Sequence, residues 1–390
     1  MEPAGTKRIL VIDIARFYAI ALVFYGHFIE RIMLLHNPAA AAQYKFVYSF
    51  HMLLFFVLAG YVARESDLAL GFERYLKYRV LSRLLPFVFF TAIFMVLPIF
   101  FTEQAFPHLH LPSVKGYTIG LLNTAFGIPM FCVPSWFLLM IFSVEMVHYA
   151  AFRFLTSNAR VLIAAALFYV VGFWFNLEFD IVNPMKGRVI GWNYLFIHEA
   201  VTMYAFYLLG IYLRRTKVFT EKVSPRIAVP GVIISFLIVL FTYNLNTGLF
   251  PFSPYDAVVI IFASHGHFLW FPFTAVVGSL GILFLARVTP AQKTITWMGQ
   301  NTLILMCLNG IFYHYINPRV AGWAVENLPP SAPVVFGVGL VMTALSLILC
   351  IPLVFFFEHY LPQLSGKPKR NGPWFRNFTC GERGTRGGMI

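Results

Sequence analysis

Ten apolar runs succeed one another along the chain, at 9–28, 46–62, 81–101, 136–152, 161–175, 194–213, 227–243, 268–286, 295–316 and 334–357. A helix needs roughly 20 apolar residues to cross the hydrocarbon of a bilayer, and lipid admits only helices and closed barrels as spanning structures. The chain therefore reads as all-α, a polytopic integral membrane protein of about ten transmembrane helices. Charge is scarce, at 12% of residues, where soluble domains carry about 25%. A soluble enzyme, a secreted disulfide scaffold and a disordered regulator are excluded together. The transmembrane unit occupies residues 1–360, and a basic, Gly/Pro-rich cytoplasmic tail follows over 361–390. No internal repeat of the kind that marks secondary transporters is visible.

The formal net charge of +13 would suggest a nucleic-acid partner in a soluble chain. Here its distribution has another meaning. With the N-terminus in the cytoplasm, 22 Lys and Arg residues fall on the cytoplasmic side, among them Lys7, Arg8, Arg74, Arg79, Arg83, Arg215, Lys222, Arg383 and Arg386. Six fall outside: Arg31, Lys45, Lys115, Lys186, Arg188 and Arg319. That asymmetry is the positive-inside bias; it places both termini in the cytoplasm and removes the nucleic-acid reading. The first run carries Asp13 and Arg16 and is too long for a cleaved leader, despite the small residues Ala39–Ala42 after it. Cys132, Cys307, Cys350 and Cys380 form no CxxC pair, and Cys307 and Cys350 sit in apolar runs, which predicts buried thiols.

Charges within the hydrocarbon are costly, so each is a functional candidate. The first run holds Asp13, Arg16 and His27. At 100° per residue, Arg16 and His27 lie within about 20° of registry and Asp13 within about 40°, with His27 about 16 Å along the axis from Arg16. The three form one polar stripe, suited either to lining a reaction channel or to a structural ion pair plus an interfacial histidine. Asp13 and Arg16, three apart, are placed to pair. His51 enters the second run about as deep as His27, just after Ser49. Two histidines at one level could hold a metal, though no third ligand stands at suitable spacing; a packing role and a substrate or catalytic contact are the other readings. Arg79 and Arg83 share a helical face at the cytoplasmic surface. They suit either bidentate phosphate binding or ordinary anchoring to lipid headgroups.

Glu145 lies within the fourth run and must be neutral or paired, with Arg16 and Arg83 as conceivable partners. His198 and Glu199 open the sixth run, either contacting an acceptor or packing. His265 and His267 flank Gly266 in an outer loop and read as solvated. Glu358 and His359 end the last run as interface anchors.

Several of these residues form a recognisable pattern. Asp13-Ile14-Ala15-Arg16, then ten residues, then His27, resembles the signature of the membrane acyltransferase-3 family. Ser49-Phe50-His51-Met52, Phe55-Phe56, Gly60-Tyr61 and the run Arg79…Arg83…Pro86 match its pattern in order and spacing. Trp136-Phe137 and Gly299-Gln300-Asn301-Thr302-Leu303 continue it more sparsely, and Asn309 stands where many relatives carry histidine. The wording is most similar to the fucose 4-O-acetylase and polysaccharide O-acetyltransferase branch. The resemblance implies acyl transfer, usually of acetyl from acetyl-CoA, from the cytoplasm onto a hydroxyl of a glycan or lipid-linked sugar met toward the outer face of the plasma (bacterial inner) membrane. It implies catalytic roles for His27, Arg16 and Asp13, and places the CoA phosphates on Arg79 and Arg83. Ser49, His51, Trp136, Glu145 and His198 become candidate substrate contacts, with His51 the candidate donor to a developing oxyanion and no metal called for. A neutral histidine suits removal of a sugar hydroxyl proton near pH 7. A succinyl transferase, a transporter or flippase of lipid-linked glycans, and a non-catalytic scaffold are the competing readings.

Overall fold

The computed structural model describes residues 9–69, 71–105, 113–178, 194–248 and 255–379, apart from the side chains of residues 178, 221 and 222. Lys7, Arg8, Lys186, Arg188, Arg383, Arg386 and Cys380 lie outside the described residues, as do parts of the long outer connections. Among the described residues the chain is helical, its one β-type pairing an isolated bridge between Val259 and Ser264.

Sixteen α-helices follow in order: α1 Leu10–Leu34, α2 Pro38–Tyr48, α3 His51–Val62, α4 Glu65–Leu68, α5 Phe72–Arg79, α6 Leu85–Phe100, α7 Val114–Ala125 and α8 Trp136–Ala151. Then come α9 Asn158–Glu178, α10 Ile197–Thr216, α11 Pro225–Thr242, α12 Trp270–Val288, α13 Lys293–Gln300, α14 Thr302–Ile311, α15 Asn317–Asn327 and α16 Ala332–Tyr360. Among the described residues, nine helical segments are long and apolar enough to cross a membrane. The remaining expected run, 295–316, is helical but broken: α13 stops at Gln300, α14 runs ten residues, and a π-turn at Phe312–Ile316 leads into α15. No piece alone has spanning length. Together they run alongside α1, for Gly299 packs on the backbone of Asp13 while Asn309 meets His27.

The local chemistry explains the breaks that matter. Asn37 caps α2, its Oδ1 accepting from the Ala40 N–H at 3.0 Å, and Pro38 occupies the first turn, where its missing N–H costs nothing. The second crossing begins there, eight residues earlier than the apolar run suggests, and is interrupted at Ser49–Phe50. In the third crossing, Pro86 has no N–H to give the Ser82 carbonyl, and α5 passes into α6 through a π-turn at Val80–Leu84. Helices α3 and α10 touch backbone to backbone: a Cβ on Gly60 would stand 1.9 Å from the Tyr207 carbonyl oxygen, and one on Gly210 would stand 2.0 Å from that of Val57. Small residues permit such approach where lipid supplies no hydrophobic drive between helices. The thiols of Cys132, Cys307 and Cys350 are free and buried, as their apolar setting predicts.

Residues 361–379 fold back onto the helix ends at the Arg16 end of α1. Gln363 is fully buried, its Nε2 donating to the carbonyls of Arg370 and Phe375, both at 2.7 Å.

Candidate functional site

Helix α1 carries the site, and α13–α14 faces it along its length. Gln300 Nε2 donates to Asp13 Oδ2 at 3.1 Å, and Arg16 lies 3.8 Å from Asp13 as the i,i+3 spacing predicts. Further along, His27 Nδ1 is hydrogen-bonded to Asn309 Oδ1. A carboxamide oxygen only accepts, so Nδ1 carries the hydrogen and Nε2 the lone pair. The ring meets Tyr313 edge-on at 5.0 Å between centroids. The stripe read from α1 therefore faces one partner segment, and Asn309 is the residue that fixes the tautomer of its histidine.

His51 lies at the break between α2 and α3. Its Nδ1 donates to the Val47 carbonyl at 3.0 Å, and its buried Nε2 has no hydrogen-bond partner in the protein. The two imidazoles are near enough to interact electrostatically. In neutral His51 this buried Nε2 is an acceptor, whereas the sequence reading casts the ring as a donor to an oxyanion. The buried donor beside His27 is instead Asn309 Nδ2, which also has no partner in the protein. Ser49 spends its hydroxyl on the Phe46 carbonyl, at 2.7 Å, and is itself buried.

Beyond His27, the next turn of α1 holds two charged residues, Glu30 and Arg31, that are buried. Glu30 accepts from the hydroxyls of Tyr313, Tyr255 and Tyr48 at 3.1, 3.2 and 3.3 Å. Burial, reinforced by Glu30, pushes the Tyr255 phenol well up, so it remains a donor. Arg31 stacks over the Tyr313 ring at 4.2 Å. The i,i+3 spacing of His27 and Glu30 was the available signal.

At the other end of α1, Glu145 is the hub of an ion cluster. Arg83 grips it bidentately, Nε to Oε2 at 3.1 Å and Nη2 to Oε1 at 2.9 Å, while Arg79 Nη1 reaches Oε1 at 3.1 Å. Arg79 also lies 3.6 Å from Asp67. Of the two expected partners Arg83 pairs with Glu145; the second pair is made by Arg79. That engagement leaves Glu145 a structural hub for the guanidiniums instead of an open contact for an acceptor.

Arg83 nonetheless faces a cavity of about 230 Å³, whose wall also includes Arg16, Gln300, Thr302 and Lys367. Arg79 is absent from that wall. The α14 residue lining it farthest along is Met306, three residues, or about 4.5 Å of rise, short of Asn309. The cavity thus has Arg16, Arg83 and Lys367 in its wall, and its lining on α14 stops three residues short of Asn309.

The remaining candidates lie apart from these contacts. Trp136 is buried against Phe137 and Phe196, with centroids 6.2 and 5.9 Å away. His198 is fully buried at the start of α10. His265 is buried, contrary to its solvated reading, with Nε2 2.7 Å from Glu199 Oε1, whose other oxygen accepts from Asn176 at 2.6 Å. Its neighbour His267 is exposed.

No solved structure matches the chain. A 98-residue stretch is 32% identical to the nodulation protein NolL of Mesorhizobium japonicum (strain LMG 29417 / CECT 9101 / MAFF 303099), covering 24% of this chain and 26% of that protein. The match thus spans about a quarter of that relative. Residues 9–353 match the family described as an acyltransferase domain. With nearly the whole chain inside that match and apolar helices of membrane-spanning length running through it, the chain belongs to the acyltransferase-3 family.

Proposed function

We propose that the protein is an O-acyltransferase of the bacterial inner membrane. It moves an acyl group, acetyl in the first instance, from cytoplasmic acyl-CoA to a hydroxyl of a cell-surface or exported glycan or lipid-linked sugar. The observation that carries this reading is the His27–Asn309 hydrogen bond, which leaves a lone pair on His27 Nε2, on the same helix whose Arg16 lines a cavity with Arg83 and Lys367. The segment 295–316 serves as a tenth crossing, and both termini are cytoplasmic, on the side of Arg16, Arg83 and Lys367. Donor and acceptor then meet from opposite faces.

In this reading His27 Nε2 takes the proton of the sugar hydroxyl as its oxygen attacks the thioester carbonyl carbon. The new C–O bond forms, negative charge develops on the carbonyl oxygen, and Asn309 Nδ2–H donates to it. Collapse breaks the C–S bond, and the CoA sulfur leaves with the proton held by His27. His51 Nε2, an acceptor, orients the sugar through a second hydroxyl. Asp13 and Gln300 hold Arg16 and α13 in place at the donor side.

Membranes containing the protein, given labelled acetyl-CoA or succinyl-CoA and glycan acceptors, test this directly. Label should appear as an alkali-labile ester from one donor, and His27→Ala should lower transfer by at least 10²-fold. Undiminished transfer in that variant refutes the mechanism. Glycan movement without acyl-CoA and without an ester on the product would instead establish a transporter.

A further inference from the structure

The polypeptide after α16 is basic and Gly/Pro-rich, and nothing in its composition suggests more than a solvated end. Its fold is specific. Lys369 Nζ sits 4.3 Å from the centre of the Tyr78 ring, on α5. Gly366 adopts φ 91°, and a Cβ there would lie 2.7 Å from Leu303 Cδ1 and 3.3 Å from the Ser82 carbonyl oxygen. The segment is therefore pressed between the start of α14 and the π-turn that carries Arg83. Between these contacts Ser365, Gly366 and Lys367 line the basic cavity, opposite Arg16 and Arg83.

Lys367 is held there by a buried-edge hub. Its Nζ donates to Glu358 Oε1 at 2.9 Å and to Asn301 Oδ1 at 2.6 Å. Glu358 also accepts from Arg370 Nη1 at 2.7 Å, Trp297 Nε1 at 2.6 Å and Asn301 Nδ2 at 3.0 Å. One carboxylate thus faces two cations, and the cluster keeps a net positive charge. By contrast, Arg79 is shared between Glu145 and Asp67 and stands off the cavity wall. Three cations from three parts of the chain, Arg16, Arg83 and Lys367, converge on one opening. Arginine supplies a fork and lysine a compact point charge, the combination used for phosphate groups.

We propose that residues 361–379 form one wall of a phosphate site for the nucleotide end of the acyl donor, with Lys367 its third cation and Glu358 the residue that positions Lys367. This rests on the acyl-CoA reading above and adds to it a binding residue outside the apolar helices.

The test uses the detergent-purified full chain, with CoA binding measured by titration calorimetry, and with acetyl-CoA and acetyl-pantetheine, which lacks the nucleotide, as alternative donors. Lys367→Gln should weaken CoA binding about ten-fold and flatten its salt dependence, while leaving acetyl-pantetheine use unchanged. Lys367→Arg should recover most of the affinity. Glu358→Gln should raise the KM for acetyl-CoA and leave kcat near wild type. CoA affinity equal to wild type in Lys367→Gln overturns the proposal, and so does an equal loss with both donors, which would mark a structural role alone. Wild-type protein that fails to bind CoA overturns the donor reading itself, a result separable from a wild type that binds and a Lys367 variant that binds equally well.

Discussion

Asn309 is where the catalytic reading is most exposed to test, because its two ends are assigned different work. Its oxygen holds the Nδ1–H of His27, and its amide nitrogen, buried and without a partner in the protein, is assigned to the developing oxyanion in the proposed mechanism. A neutral hydrogen bond contributes about 1–1.5 kcal/mol net, so losing the anchor on Nδ1 should cost roughly ten-fold in rate. Losing one oxyanion donor costs about 10²–10³-fold. Asn309→Ala removes both and should lower kcat by about 10³-fold, given that effects of groups acting together do not multiply fully. Asn309→Asp keeps an acceptor for Nδ1–H but removes the donor and adds negative charge, so it too should fall by at least about 10²-fold. Asn309→His offers one acceptor and one donor and should be the mildest of the three. The assay is label transfer from acetyl-CoA in membranes matched for protein amount, with KM followed separately. If Asn309→Ala stays within three-fold of wild type, the residue neither orients nor donates. If Asn309→Asp is fully active while Asn309→Ala is not, the oxyanion role is wrong and only orientation survives.

Two further outcomes follow from packing and charge. Glu145→Gln leaves the Arg83 guanidinium without its counter-charge and Arg79 with Asp67 alone, which should cost about 3 kcal/mol, the lower end of the range because Arg83 is 24% exposed; a thermal unfolding midpoint in detergent equal to wild type would contradict the hub. Gly299→Ala places a Cβ 1.8 Å from the Asp13 carbonyl oxygen, so α13 must move from α1, at a cost of about 1–3 kcal/mol. It should also separate Gln300 from Asp13 and weaken acetyl-CoA use, and unchanged melting and unchanged KM together would refute the close contact.

The parts of the site that were legible in the sequence are those where charge interrupts an apolar run. Asp13, Arg16, His27 and Glu145 stand out because hydrocarbon makes each of them costly, and periodicity alone put the first three on one stripe. What stayed hidden was chemistry that composition does not flag. Asn309 is uncharged and sits in a run of Leu, Ile and Met, so its pairing with His27, 282 residues apart in sequence, had no local signal. Glu30 and Arg31 fall near the end of α1, where interface anchoring is the ordinary reading, and only the tertiary contacts of Tyr48, Tyr255 and Tyr313 show them to be buried. The second crossing was placed late because Pro38–Tyr48 is a mixed Ala-rich stretch; its start is written in the Asn-Pro cap, a shorter signal than an apolar run. The breaks in 295–316 follow from how α13 and α14 pack against α1, which hydropathy does not encode.

The orphaned polar atoms sharpen the division of labour between the two ends of α1. A buried donor or acceptor without a partner is costly and persists where a ligand or water completes it. Among the described residues, three such atoms cluster around His27: Asn309 Nδ2, His51 Nε2 and Arg31 Nε. Asn309 bonds the His27 ring, His51 meets Tyr48, which shares Glu30 with Tyr313, and Arg31 stacks on that Tyr313, which meets His27 edge-on. At the opposite end the charges are already partnered, Arg83 by Glu145 and Lys367 by Glu358, and what they share is a cavity. A basic cavity with satisfied walls suits holding a polyanion by field and shape. A buried cluster of donors and acceptors without protein partners suits a group whose charge changes during reaction, since its hydrogen bonds strengthen only as that charge develops. The 16 Å of α1 between Arg16 and His27 is then the distance over which the donor's reactive end is carried from the first environment to the second.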